Sequence, residues 1–221
     1  MSNPVPGYSL IVFDWDGTLM DSTAGIVACM QDASRDMGLE VPSRARASHT
    51  IGLGLADALQ FAVPDLPASG YRQFAEHYRR HFQARSDAMD LFPGVQAMLG
   101  RLQAGGRKLA IATGKSRKGL DHALQACRLQ AYFTATRCAD ETAPKPHPAM
   151  LHELMSELSL SPQALLMIGD TSHDLEMAAS AGVDAIAVTY GAHPEDSLRA
   201  RTPRSVVGSV AELEAWLTTH A

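Results

Sequence analysis

Apolar positions run unbroken from Leu10 to Phe13 and give way at once to Asp14-Trp15-Asp16-Gly17-Thr18. A short run rich in β-branched and aromatic residues predicts a strand buried on both faces of a parallel sheet. The pattern then changes character. Ser22 and Thr23 can cap a helix running to about Met37, where Gly38 stops it. From there to Asp90 the periodicity is helical, punctuated by Pro42, Gly52, Gly54, Pro64 and Pro67, and Tyr71 to Arg85 is its longest uninterrupted stretch. Beyond Phe92-Pro93-Gly94 strands and helices alternate. Strands are predicted at Lys108–Ala112, Tyr132–Arg137, Ala164–Ile168, Ala185–Thr189 and Ser205–Val207. Helices are predicted at Val95–Gln103, Ser116–Ala126, His147–Leu158, Asp174–Ala181 and Val210–Thr218.

Alternating β and α elements imply a doubly wound, Rossmann-like α/β core whose parallel sheet is covered on both faces. The first strand belongs to that sheet, so 21–90 reads as a helical insertion, with 1–20 and 91–221 forming the core. Ligands of such sheets bind outside the carboxyl ends of the strands.

Composition narrows the function classes. The chain has 221 residues, 46% of them hydrophobic, and a formal net charge of −5, which gives a nucleic-acid partner no electrostatic support. No apolar run approaches the ~20 residues of a membrane span. Met1 to Gly7 is polar and Pro-rich, unlike a signal peptide. Cys29, Cys127 and Cys138 are odd in number and lack C-x-x-C spacing, so reduced thiols and a cytoplasmic setting are expected.

Chemistry-bearing residues collect at the predicted strand ends. In extended backbone Asp14 and Asp16 point the same way and Trp15 points opposite, while Gly17 turns the chain and Thr18 adds a hydroxyl. Either acid alone would pass for a turn or cap residue; paired acids at the end of a buried strand need a cation or a reaction to justify them. The second clear strand ends at Thr113-Gly114-Lys115-Ser116. That ending resembles a P-loop, but Leu109 stands where the loop needs glycine, so no triphosphate cradle forms. A threonine hydroxyl, Gly114 and free N–H groups suit a single phosphate instead. The strand closing at Ile168 leads to Gly169-Asp170-Thr171-Ser172-His173-Asp174, a second acid pair, and three prolines stiffen the loop around Lys145. His147 is more readily a loop or cap residue than a ligand, and His173, like the other histidines, takes no assigned role. Unit charges ~4 Å apart repel by about 4 kcal/mol at an effective dielectric near 20. Four acids and one lysine therefore imply a divalent cation, and an all-oxygen set without a His or Cys cluster points to Mg²⁺.

Asp14-Trp15-Asp16-Gly17-Thr18, Thr113, Lys145 and Gly169-Asp170 with Asp174 resemble, in order and setting, the four motifs of the haloacid dehalogenase superfamily. The helical insertion is similar to that superfamily's small cap, and the nearest resemblance is to phosphoglycolate phosphatase-like members. The resemblance implies a Mg²⁺-dependent phosphatase acting on a small phosphorylated metabolite, as monomer or homodimer. It implies Asp14 as nucleophile and Asp16 as general acid and base. It implies Thr113 and Lys145 on the transferring phosphoryl group, with Thr18, Gly114 and Lys115 binding substrate. Asp14, the Asp16 carbonyl and Asp170 would hold the metal, with Asp174 in support.

A dehalogenase needs neither Asp16 nor Asp170. A phosphonatase uses a cap lysine, and 20–90 has none; the chain's lysines are Lys108, Lys115, Lys118 and Lys145. A sugar-phosphate mutase keeps the same motifs and stays open, as does a non-catalytic phospho-acceptor module. Lys115, Arg117 and Lys118, or an arginine of the insertion, are expected to receive a second anionic group of the substrate. Gly52-Leu53-Gly54 is either a loop dipping toward substrate or a plain turn between helices.

Overall fold

The computed structural model describes residues 7–86 and 89–221. Most of the polar opening stretch and residues 87–88 of the helical block lie outside it. Six parallel strands form one sheet: β1 (Leu10–Phe13), β2 (Lys108–Thr113), β3 (Ala135–Cys138), β4 (Leu165–Gly169), β5 (Asp184–Val188) and β6 (Ser205–Val207), in spatial order β3-β2-β1-β4-β5-β6. The opening strand is therefore interior, with Phe13 level with Ile111 on one side and Ile168 on the other. Chain order reverses direction across the sheet at β1 and β4, which is where a crevice opens in doubly wound folds.

The unbroken apolar runs have a simple cause. Ile11, Phe13, Ile111 and Ile168 face one core with Trp15, Leu99 and Leu213, while Leu10, Val12, Ala110 and Met167 face another with Met150, Leu154 and Leu175. Each fully buried large side chain contributes about 1.5–3 kcal/mol, so the sheet can carry unfavourable charge at one end. Helices α5 (Val95–Ala104), α6 (Arg117–Cys127), α7 (Ala149–Leu158), α8 (Ser172–Ser180), α9 (Glu195–Arg199) and α10 (Val210–His220) flank it. Between β1 and α5 the chain forms α1 (Thr23–Asp36), α2 (Arg44–His49), α3 (Leu55–Ala62) and α4 (Tyr71–Ser86). Their apolar faces close on their own cluster, including Val27, Met30, Leu59 and Phe74.

Several boundaries differ from the sequence expectation. The third strand begins at Ala135, because 130–132 turns as a 3₁₀ segment first. Helix α7 starts at Ala149, since Pro148 serves as its N-cap and the prolines before it leave too few N–H donors. Helix α8 starts at Ser172, not Asp174: Thr171 caps it and Asp174 returns the bond from the third helical position. Helix α9 was not expected at all; it is a single five-residue turn behind Pro194.

No helix among the described residues is long and apolar enough to cross a membrane.

Candidate active site

Strand β1 ends by handing its last ladder bond to Asp14, whose N–H donates to the Ile168 carbonyl at 2.9 Å. This fixes the Asp14 backbone against β4, and its carboxyl is 1% exposed. Trp15 turns the other way into the core. Gly17 follows with φ +82, and a Cβ there would stand 2.2 Å from Asp170 Oδ2, so only glycine lets β1's loop reach β4's loop. Thr18 Oγ1 donates to Asp170 Oδ1 at 2.7 Å, and the Ala192 N–H donates to Asp170 Oδ2 at 2.7 Å. Asp174 is held by α8's capping box: Thr171 N–H and Oγ1 donate to its Oδ2 at 3.1 and 2.7 Å.

Lys145 arrives from the proline-rich loop after β3 and is wholly buried. Its Nζ lies 2.7 Å from Asp14 Oδ1 and 2.6 Å from Asp174 Oδ1. Oxygens of Asp14, Asp170 and Asp174 all approach within 4.8 Å of one another. Two carboxylates thus meet one ammonium, with a third, Asp170, beside them. Burial, only partly opposed by Lys145, pushes the Asp14 carboxyl up to about 7. Burial, with Asp14 and Asp174 adding to it, drives Asp170 well above the usual carboxylate range. Burial opposes the Lys145 charge, yet Asp14 and Asp174 outweigh it and the ammonium is held above its ordinary value.

A divalent cation fits this arrangement on the structure's own terms. Asp14 Oδ2 is buried without a hydrogen-bond partner, beside two other acids, and the donor set is all oxygen. Sequence reasoning placed Asp14, Asp170, Asp174 and Lys145 together, and the structure brings them together.

Asp16 stands beside this group with different partners. Ser22 Oγ donates to its Oδ1 at 2.7 Å, and Lys115 Nζ lies 2.9 Å from its Oδ2. Ser22 is at the N-cap of α1 as expected, but its side chain makes no capping bond and serves Asp16 instead. Lys115 also sits over the Phe82 ring of α4, 4.7 Å from its centroid. Thr113 is buried, and its Oγ1 accepts from the Lys115 N–H at 3.2 Å.

The expected basic rim is narrower than the sequence suggests. Arg117 turns its guanidinium to Glu141, Asp121 and Thr136. Arg35, Arg46, Arg80 and Arg85 in the helical block pair with Asp32, Glu40 and Asp36. The Gly52-Leu53-Gly54 turn does pack over the strand-end loops. A Cβ on Gly114 would stand 2.6 Å from the Gly52 carbonyl oxygen, and one on Gly54 would stand 3.0 Å from Pro144. The open groove of 640 Å³ lined by Leu91, Phe92, Gln96 and Tyr132 contains none of these residues.

Residues 11–188 match the family model described as haloacid dehalogenase-like hydrolase. The "probable phosphatase IndB" of Dickeya dadantii (strain 3937) is 37% identical over 210 residues, covering 92% of this chain and 91% of that protein. A phosphoglycolate phosphatase of Yersinia pestis is 30% identical over 210 residues, covering 92% and 90%. The crystal structure of a "predicted phosphoglycolate phosphatase" from Haemophilus somnus 129PT superposes with TM-score 0.83 at 26% identity, over 95% of this chain and 97% of that one. The chain belongs to the haloacid dehalogenase-like hydrolase family. Its fold is the one the motif resemblance implied.

Proposed function

We propose that this phosphoric monoester hydrolase is a Mg²⁺-dependent phosphatase of small phosphomonoesters that works through an aspartyl-phosphate on Asp14. One observation carries the reading: Asp14 Oδ2 is buried and unpartnered while Lys145 fixes Oδ1, leaving one carboxylate oxygen aimed with nothing to hold. Asp14, the Asp16 backbone carbonyl and Asp170 would hold the metal, with Asp174 in support through Lys145. Bound there, Mg²⁺ would neutralise phosphoryl oxygens and return Asp14 to its carboxylate form.

Asp14 attacks phosphorus in line, forming the P–O bond as the ester P–O bond breaks. With Lys115 turned from Asp16 to the substrate's second anion, Asp16 enters the reaction protonated, gives that proton to the leaving alkoxide, then takes one from the water that hydrolyses the acyl phosphate. Thr113, Gly114 and Lys145 hold the phosphoryl oxygens. Thr18 serves by orienting Asp170, given where its hydroxyl is bonded. The block α1–α4 acts as a cap, and its Gly52-Leu53 turn lies against Gly114 to shield the reaction from bulk water.

The substrate carries a second anionic group close to its phosphate, as phosphoglycolate does. Lys115 supports this, since it is a mostly buried cation placed between Asp16 and the cap residue Phe82. A panel of neutral and carboxylated phosphomonoesters, with Mg²⁺ and with chelator, tests the reading. Multiple turnovers that require Mg²⁺ and favour carboxylated esters are expected. A single equivalent of phosphate would instead describe a phospho-acceptor, and isomerised sugar phosphate a mutase.

A further inference from the structure

Three histidines meet where the helical block touches the core, and nothing in the phosphatase reading uses them. His49 ends α2, His173 lies in the first turn of α8, and His193 follows β5. Their rings pack face to face and edge to face, with centroids 4.9–5.1 Å apart. One ring nitrogen from each lies within 4.8 Å of the other two. We propose that His49, His173 and His193 form a second metal site, selective for borderline ions such as Zn²⁺ or Co²⁺, that fastens the helical block to the core.

The chemistry separates this site from the carboxylates. Imidazole nitrogens suit Zn²⁺, Co²⁺ and Ni²⁺, whereas Mg²⁺ takes oxygen ligands, so the two clusters sort ions by hardness.

The rings must move modestly to bind. Tetrahedral Zn–N bonds of about 2.05 Å place ligand nitrogens ~3.4 Å apart, closer than the 4.8 Å limit here. The present hydrogen bonds also have to change. His193 Nδ1 accepts from the Ser172 N–H at 3.0 Å, so its Nε2 carries the proton that faces the His49 carbonyl at 3.2 Å. His173 Nε2 faces the same carbonyl at 2.8 Å. Ligation through His193 Nε2 moves its proton to Nδ1 and gives up the Ser172 bond, His173 gives up its bond to the His49 carbonyl, and all three rings turn to bring their nitrogens together.

Occupancy would be felt at the carboxylates. The His193 N–H donates to the Asp170 carbonyl and its neighbour Ala192 donates to the Asp170 carboxylate. Ser48, next to His49, donates to the Ala192 carbonyl at 2.8 Å. A metal bridging His49 to His193 therefore locks block and core in the arrangement seen here. Slower turnover follows if the block must open to release product, a consequence that rests on the phosphatase reading; metal binding itself does not.

The test uses the full chain in a large excess of Mg²⁺, titrated with Co²⁺ and read by visible ligand-field absorption. Expected is one equivalent with the intense bands of four-coordinate, imidazole-bound cobalt, and a rise in thermal midpoint on adding Zn²⁺. His49→Ala should weaken cobalt binding at least tenfold and remove the thermal shift. His193→Gln, which keeps a polar side chain in the packed cluster, should do the same should His49→Ala fail to fold. Cobalt that shows only weak six-coordinate bands, is displaced by Mg²⁺, or binds both variants as tightly as the parent overturns the proposal. Each outcome is independent of whether phosphate esters are hydrolysed.

Discussion

Lys145 Nζ lies 2.7 Å from Asp14 Oδ1 with both side chains sealed from solvent. Breaking a buried ion pair by removing one partner typically costs about 3–5 kcal/mol, because the remaining charge is left uncompensated. Here the residue left behind is one of three acids. Lys145→Met should therefore lower metal-free unfolding stability by about 3–5 kcal/mol at pH 8, with part recovered in Mg²⁺. Turnover should fall ~100-fold or more, since a fixed cation at the transferring group is lost. Chemical denaturation and steady-state kinetics check both; unchanged turnover would remove Lys145 from the mechanism.

The Asp14 carboxyl, raised to about 7 from an ordinary 3.8, gives a pH dependence of definite sign. Between those values the folded chain holds a proton that the unfolded chain has released, so stability falls as pH rises from about 4 through 7. His193, lowered to about 4, works oppositely over the acid part of that window, its contribution fading as pH falls from 6.5 toward 4. Comparison with Asp14→Asn isolates the carboxyl. In chelator at pH 8 the variant should be more stable than the parent by about 2–4 kcal/mol, and the difference should shrink at pH 5. Mg²⁺ should narrow the gap at pH 8 by stabilising the parent. A variant less stable than the parent at pH 8 would contradict the burial account.

Gly114 and the Gly52 carbonyl leave no room for a side chain between core and helical block. Gly114→Ala should push the Gly52-Leu53 turn off the strand-end loops while leaving both cores intact. A drop of ~10-fold or more in kcat/KM with a thermal midpoint changed by only a few degrees is expected, in keeping with about 1 kcal/mol of strain. Equal losses of activity and stability would mean the contact is merely structural.

Lys115 pairs with Asp16 at 2.9 Å and rests on Phe82. Lys115→Met keeps the aliphatic stem and removes the charge. It should raise KM for carboxylated phosphomonoesters by roughly 10-fold, near 1.4 kcal/mol, and leave KM for neutral esters within about twofold. Parallel losses on both classes would assign Lys115 to the chemical step rather than to substrate choice.

How much of this was legible in the sequence follows from the reach of each signal. The order of strands and helices could be read because β1, β2, β4 and β5 are buried on both faces and their apolar runs are nearly continuous, whereas the edge strands β3 and β6 are partly exposed and give weaker runs. Asp14 and Asp16 stood out because charge is costly where such a run stops. Lys145 could be suspected from its stiffened loop, but that it lands between Asp14 and Asp174 depends on a crossover that spacing does not encode. Ser22 looked like an ordinary helix cap, and only the folded path shows its hydroxyl turned to Asp16. The clamp on Asp170 from Ala192 uses a backbone N–H, which carries no residue signature. The three histidines lie far apart in the chain, and none has a neighbour at ligand spacing. Arg117 was misplaced on the rim because the acids that attract it, Glu141 and Asp121, are as unremarkable in sequence as any surface acids.

The central claim is that phosphorus becomes bonded to Asp14. Quenching the enzyme during turnover with borohydride, followed by peptide mass spectrometry, tests it most directly, because an acyl phosphate is reduced to the alcohol where a free carboxylate is not. The account predicts homoserine at position 14, dependent on substrate and Mg²⁺, and neither label nor turnover in Asp14→Asn, with activity down at least ~10³-fold. Sustained hydrolysis by Asp14→Asn, or reduction at a different acid, would contradict it.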